Sequence, residues 1–190
     1  MEIIENPNVG KFHLPLPIYT NVTLATALAN DGEKFDIVAG LGKSSSEEIK
    51  KHALDEGDEE LQKNTHDHKR FGEGSYEEWY AKDRTPFGLI HKKTETLAAL
   101  FYIGPKTLGH EPGEWHTIGY RSYNPFRGKG LMKDFSKFAM EIYSGSHPGV
   151  HYWVRINPEN KASIALSSSL GLVISEKYSD PASGSLIFVK

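Results

Sequence analysis

The chain contains no cysteine, which excludes disulfides, thiolate metal ligands and cysteine nucleophiles. It has no apolar run approaching the ~18–20 residues that a membrane-spanning helix needs. The opening stretch MEIIENPNVGKFHLPLPIYT lacks the basic segment followed by an apolar core that marks a secretory leader. We therefore expect a cytoplasmic protein with no membrane partner. Positive charge is not in excess: 22 Lys+Arg against 25 Asp+Glu leave a net charge of −3. That balance argues against a general nucleic-acid binder, although it leaves room for a local basic patch. Metal-ligand patterns are missing too. HEPGEWH (110–116) cannot form a zinc helix, because Pro112 and Gly113 break it and His116 stands six residues from His110. THDHK (65–69) has no third spaced ligand. We expect no metal. What is present is ordinary for a globular domain, 38% hydrophobic and 25% charged over 190 residues, and we read residues 1–190 as one domain.

Periodicity divides the chain into elements. TLATALANDGEKF (23–35) reads as a short helix ended by Gly32. SSSEEIKKHALDEGDEELQKN (44–64) reads as a second helix, opened by a capping box of Ser44 with Glu47 or Ser45 with Glu48. Its acidic stretch, 55–60, suits a solvated face or a rim that attracts a cationic substrate. FGLIHKK and ETLAALFYIG form a β-hairpin turning near Thr94. GEWHTIGYRSY is a strand. GLMKDFSKFAMEIY is an amphipathic helix with Leu131, Phe135, Phe138, Ala139 and Ile142 on one face. GVHYWVRI is a further strand, and NPENKASIALSSSLG a helix with Pro158 near its start and Gly171 past its end. LVISEKY and SLIFVK close the chain as strands. The class is α/β, a mixed sheet with a central strand–helix–strand unit.

Within this order, NPFRGKGLM (124–132) stands between a strand and a helix. The first N–H groups of a helix lack partners there, and the helix dipole favours an anion. Gly128 and Gly130 allow close approach to the main chain, while Arg127 and Lys129 add positive charge. A phosphate or pyrophosphate is the natural ligand, and a plain strand-to-helix turn is the alternative. Neither common glycine motif applies. A Walker loop needs wider glycine spacing and a Lys-Ser/Thr pair, and a dinucleotide fingerprint needs a third glycine that this loop lacks.

Together with NPENKASIALSSSLGLV, the loop resembles the GNAT superfamily of N-acetyltransferases. The family's phosphate loop runs Q/R-x-x-G-x-G/A. Arg127 and Gly130 match it, and Met132 departs at the last position. Asn160, Ser163, Leu170 and Gly171 match the later motif. The specific part of the resemblance covers about residues 86–175. A weaker likeness to the branch that acetylates ribosomal-protein N-termini extends it back to about residue 15.

The resemblance implies a GNAT-like fold, with acetyl-CoA as co-substrate in a cleft where strands 114–122 and 149–156 splay apart. It implies that the main chain of Arg127, Gly128, Lys129, Gly130, Leu131 and Met132 holds the pyrophosphate. Tyr120, Arg121 and Ser122 would pair with the pantetheine arm like an added strand, and Asn160 would reach that arm. For the base it points to His116, with Glu114 on the same strand face as substitute or relay; a strand-face histidine without catalytic duty is the other reading. The family often places an acidic tyrosine seven residues after the asparagine, where this chain has Ser167. Tyr152 is a conceivable replacement and more simply a packing residue. The implied reaction is acetyl transfer to a primary amine, on a protein N-terminus or a small molecule, in a monomer or homodimer. A non-catalytic CoA-binding sensor on the same fold is the alternative that Ser167 motivates.

Overall fold

The computed structural model describes residues 1–190. Its strands are β1 (Glu2–Glu5), β2 (Asn21–Leu28), β3 (Lys34–Gly40), β4 (Thr85–His91), β5 (Leu97–Pro105), β6 (Trp115–Ser122), β7 (His151–Ile156), β8 (Val173–Ile174) and β9 (Leu186–Val189). They form one sheet in the order β1-β2-β3-β4-β5-β6-β7-β9-β8. The β6–β7 pair alone is parallel. Helices α1 (Lys43–Ala53), α2 (Glu59–Asn64) and α3 (Tyr76–Tyr80), with a π-helical turn at His68–Glu73, lie between β3 and β4. Helix α4 (Met132–Ser146) joins β6 to β7, and α5 (Lys161–Ser169) follows β7. This is the expected mixed α/β architecture. No helix is long and apolar enough to cross a membrane.

Strand β5 shows why the sheet has helices on both faces. Its side chains alternate, and it is buried along both faces, from Leu97 to Gly104. Phe101 and Ile103 join the larger core with Phe135, Phe138 and Ala139 of α4. Leu100 and Tyr102 join the second core with Ile49, Leu61, Phe71 and Trp79 from the segment between β3 and β4. Fully burying a side chain of this size contributes about 1.5–3 kcal/mol. The amphipathic face expected for α4 is the face that packs, with Leu131, Phe135, Phe138 and Ala139 buried.

Two expectations fail. Residues 23–35 are no helix: β2 and β3 pair as an antiparallel hairpin across Asn30-Asp31-Gly32, with Gly32 at φ 85°. The alanines suggest a helix, but Ala25 and Ala27 alternate with Leu24 and Thr26, and a turn residue with positive φ suits a hairpin. The long helix of 44–64 is broken into α1 and α2, and no capping box forms. Gly42 caps α1 without a side-chain bond, and Glu48 instead accepts the Leu97 N–H at 2.8 Å.

Behind β6 a buried ion cluster ties the second core to the sheet. The Arg121 guanidinium is buried and makes two hydrogen bonds to Asp67, itself 2% exposed. Arg70 donates to the same carboxylate at 2.9 Å. Asp67→Asn leaves Arg121 as a buried charge without its anion. It should destabilise the protein by about 3–5 kcal/mol in urea denaturation; a loss below about 1 kcal/mol would contradict this account.

Candidate functional site

The parallel pair β6–β7 is registered only through Trp115↔His151, His116↔Tyr152 and Thr117↔Trp153. Beyond Thr117 the two strands part. β6 keeps its β5 partner along its whole length, from Pro105↔His116 to Ala99↔Ser122. Main-chain bonds at the two ends of that ladder, Lys106 N–H to Trp115 O and Tyr123 N–H to Ala98 O, show that odd-numbered residues of β6 face β5. By alternation, Ile118, Tyr120 and Ser122 face the β7 side. The Ile118 N–H still serves the last β7 pair at Thr117↔Trp153, and Ser122 O accepts from Arg127 Nε at 3.1 Å, so the Ile118 C=O, both Tyr120 groups and the Ser122 N–H are directed into the gap. A cleft of about 1710 Å³ runs through the gap, larger than a typical single-ligand pocket of roughly 300–1,000 Å³.

At one end of the cleft lies the glycine loop. Gly128 and Gly130 have φ of 80° and 73°, and a Cβ added at either meets nothing within 4 Å. Their requirement is the left-handed backbone, which L side chains adopt at a cost. With that turn, the N–H groups of Gly128, Gly130, Leu131, Met132 and Lys133 donate to no protein acceptor. They line the cleft at the N-terminus of the fifteen-residue α4, a nest suited to an anion. The Met132 side chain packs against the larger core, so the family departure at this position keeps its N–H free. Asn160 also lines the cleft, but its side-chain oxygen is committed to capping α5 through the Ser163 N–H at 3.0 Å.

The loop cations are already paired. Arg127 donates to Asp58 at 2.5 and 2.7 Å and to Glu60 at 3.3 Å, and Lys129 pairs with Asp31 at 3.0 Å. The Arg127 hydrogen bond holds the Asp58 carboxyl below the usual carboxylate range. The acidic stretch 55–60 is thus a clasp onto the chain's own loop, and Asp58 also caps α2. Positive charge toward a phosphate is correspondingly reduced, and the free N–H groups carry most of the attraction.

Other expected residues are placed differently. Arg121 has its main chain directed to β5 and its side chain to Asp67, so it cannot pair with a ligand in the gap. His116 and Glu114 do come together, at 3.0 Å, but neither lines the cleft. His116 lies in the paired part of β6, 2% exposed, and bonds the Tyr143 hydroxyl of α4 at 2.7 Å. Its position eleven residues before Arg127 was legible in sequence; where β6 leaves β7 was not. Tyr152 is core, with its hydroxyl on Ser144 at 2.7 Å.

The sequence reading missed what fills the space beside Ser167. The Tyr120 side chain reaches α5 from β6, and its hydroxyl meets Ser163 Oγ at 2.6 Å, Ser163 O at 3.0 Å and Ser167 Oγ at 2.9 Å. A phenol therefore stands against the serine, supplied by the strand instead of the helix. Burial raises the Tyr120 pKa, and the two serine hydrogen bonds oppose that rise. Tyr102 and Arg84, also missed, line the opposite end of the cleft.

Comparisons with known proteins agree with this geometry. An acetyltransferase (GNAT) domain family model matches residues 43–173, more than half of the chain. No curated protein matches. Among solved structures, the GNAT domain of S. lividans PAT is similar at 13% identity, with 87% of this chain and 95% of that one covered and a TM-score of 0.65. Mycobacterium smegmatis RimJ, in complex with CoA-disulfide, is similar at 14% identity over 90% and 87%, TM-score 0.62. Spermidine N-acetyltransferase from Vibrio cholerae, in complex with CoA and spermine, is similar at 13% over 80% and 92%, TM-score 0.58.

Burial holds His116 below the ordinary imidazole range, against the pull of Glu114. The unfolded chain then takes up a proton at a higher pH than the native state. The stability from this group is complete above the ordinary histidine pKa of ~6.5 and falls away as pH drops toward the lower folded value. His52, lowered by burial in the same way, adds to the slope. His116→Gln should flatten the urea-derived stability profile below about pH 6.5; an unchanged slope would contradict the buried neutral ring. The unpaired loop, the parted strands and the family match converge: the chain belongs to the GNAT acetyltransferase family.

Proposed function

We propose that the protein transfers an acetyl group from acetyl-CoA to a primary amine by direct attack. The observation that carries this reading is the set of free N–H groups of Gly128, Gly130, Leu131, Met132 and Lys133 beside a gap that exposes unpaired β6 main chain. In this reading the loop N–H groups hold the pyrophosphate, and Gly128 and Gly130 keep them turned toward it. The free main-chain groups of this edge, the Ile118 C=O, both Tyr120 groups and the Ser122 N–H, pair with the amide-bearing arm as a strand would. Bound there, acetyl-CoA supplies a thioester carbonyl for the amine to attack. An N–C bond forms as the C–S bond breaks; the ammonium gives up one proton before attack and a second afterwards, and the departing sulfur takes up one.

The Tyr120 hydroxyl is our candidate donor to that sulfur, with Ser163 and Ser167 holding it in place. This replaces the family tyrosine that the chain lacks at Ser167 and weakens the case for a sensor without turnover. The placement of His116 and Glu114 outside the cleft supports a positioning duty through Tyr143 and not proton abstraction from the amine. The acceptor is either a protein N-terminus or a small amine.

Acetyl-CoA at 100 times its Kd should stabilise the native state by about 2.7 kcal/mol. Gly130→Glu, which places a carboxylate at the anion nest, should abolish that stabilisation while Gly130→Ala keeps part of it. Equal shifts in all three proteins would contradict the loop placement. Tyr120→Phe should lower kcat by about 100-fold with little change in acetyl-CoA affinity; a kcat within twofold of the parent would remove Tyr120 from the chemistry.

A further inference from the structure

The cleft has a second end, beyond the point where β6 and β7 part, and its charge is positive in a protein of net charge −3. The side chain of Arg84 lies over Gly104, where an added Cβ would meet its Cδ at 2.7 Å and Nη1 at 2.8 Å. Gly104 pairs with Thr117 across the β5–β6 ladder. Thr117 is the last β6 residue still registered with β7. Directly opposite residues share a face and strands lie ~4.8 Å apart, so Arg84 sits about one strand spacing from where the gap opens. Next on the same face come Tyr102, whose ring packs over Gly119, and Arg121.

Arg84 is half-buried and has no carboxylate. Its one protein hydrogen bond is Nη1 to Pro105 O at 3.1 Å, although a guanidinium carries five donors. Arg70, beside it, shares Asp67 with Arg121, so one carboxylate serves two guanidiniums. Glu78 and Asp83 are nearby but exposed, and neither forms an ion pair with Arg84. Desolvation and then Arg70 weaken the hold of Arg84 on its proton, with Tyr102 and Asp83 acting the other way. A guanidinium without an anion, near a second whose carboxylate is shared, is the arrangement that a carboxylate or phosphate completes, bidentately and with charge-assisted bonds.

We propose that the acceptor is an amine carrying a carboxylate or phosphate within a few bonds of its nitrogen, and that Arg84, backed by Arg70, receives that anion. The short distance between Arg84 and the opening of the gap favours an α-amino-acid-like compound over a long polyamine, whose cations this end would repel. The proposal rests on the acetyl-transfer reading. It concerns a different end of the cleft from the glycine loop, so the two can fail separately.

The test measures thiol release from acetyl-CoA against α-amino acids, their amides, phosphoethanolamine, spermidine, and short peptides beginning with Asp, Glu or Ala. Acetyl-CoA binding is followed by calorimetry. We expect one or more anionic small amines to exceed their neutral counterparts by tenfold or more in kcat/KM. Arg84→Gln should remove about 10- to 100-fold of that advantage, leave the rate with the amide unchanged, and leave acetyl-CoA affinity and the urea midpoint at the parent values. Preference for spermidine or for the amides would overturn the proposal. So would equal losses on acid and amide, acetylation confined to peptides regardless of their first residue, acetyl-CoA binding without turnover of any anionic amine, or weaker acetyl-CoA binding in Arg84→Gln. Absence of acetyl-CoA binding in the parent would overturn the cofactor reading itself, and this proposal with it.

Discussion

The structure depends on one interruption in its hydrogen bonding. A sheet stays together because each strand satisfies the main-chain groups of its neighbours, and buried groups left alone cost about 1–3 kcal/mol each. Here β6 and β7 share three residue pairs and then separate. The rest of the fold makes the separation tolerable. β6 is fully paired to β5 on its other edge, β7 is fixed to β9 through Trp153↔Val189 to Ile156↔Leu186, and the strands are clamped from both faces by α4 and by the α1–α3 segment. The Asp67–Arg121 pair fastens that second layer directly to the parting strand. In the proposed reading, a stiff frame around an unpaired edge lets a strand-like ligand enter without collapse of the sheet.

The frame also organises the two ends of the cleft by different means. At the loop end, main-chain donors dominate, because Asp58, Glu60 and Asp31 neutralise the nearby arginine and lysine. In the proposed reading this is an anion site whose strength lies in geometry. At the other end side-chain charge dominates, since Asp67 is shared and Arg84 is left without a counterion. One end is suited to a fixed, common group and the other to a discriminating contact.

Local signals were legible in the sequence, and long-range ones were not. The glycine loop, the apolar face of α4, the β4–β5 hairpin and the asparagine that caps α5 are all carried by residues within a few positions of one another. The hairpin of residues 21–40 was misread because alanine speaks for a helix when its neighbours are ignored, while the two-residue alternation and the Asn-Asp-Gly turn spoke for strands. The Asp67–Arg121 pair spans 54 residues, and no local pattern announces it. His116 illustrates the same limit. Its strand and face could be inferred, but its distance from the cleft depends on how far β7 follows β6. Tyr120 was singled out for its main chain, and the reach of its hydroxyl to Ser163 and Ser167 becomes visible only once α5 is folded against the strand.

The central claim is that the gap along β6 and the nest at the head of α4 receive one continuous ligand. Amide hydrogen exchange resolved by residue, with and without acetyl-CoA, tests this most directly. The account predicts slowed exchange at Tyr120 and at Gly130 to Lys133 together, with the β1–β3 hairpins unchanged. Protection of the loop alone, of neither segment, or of the sheet edge away from β6 would contradict it.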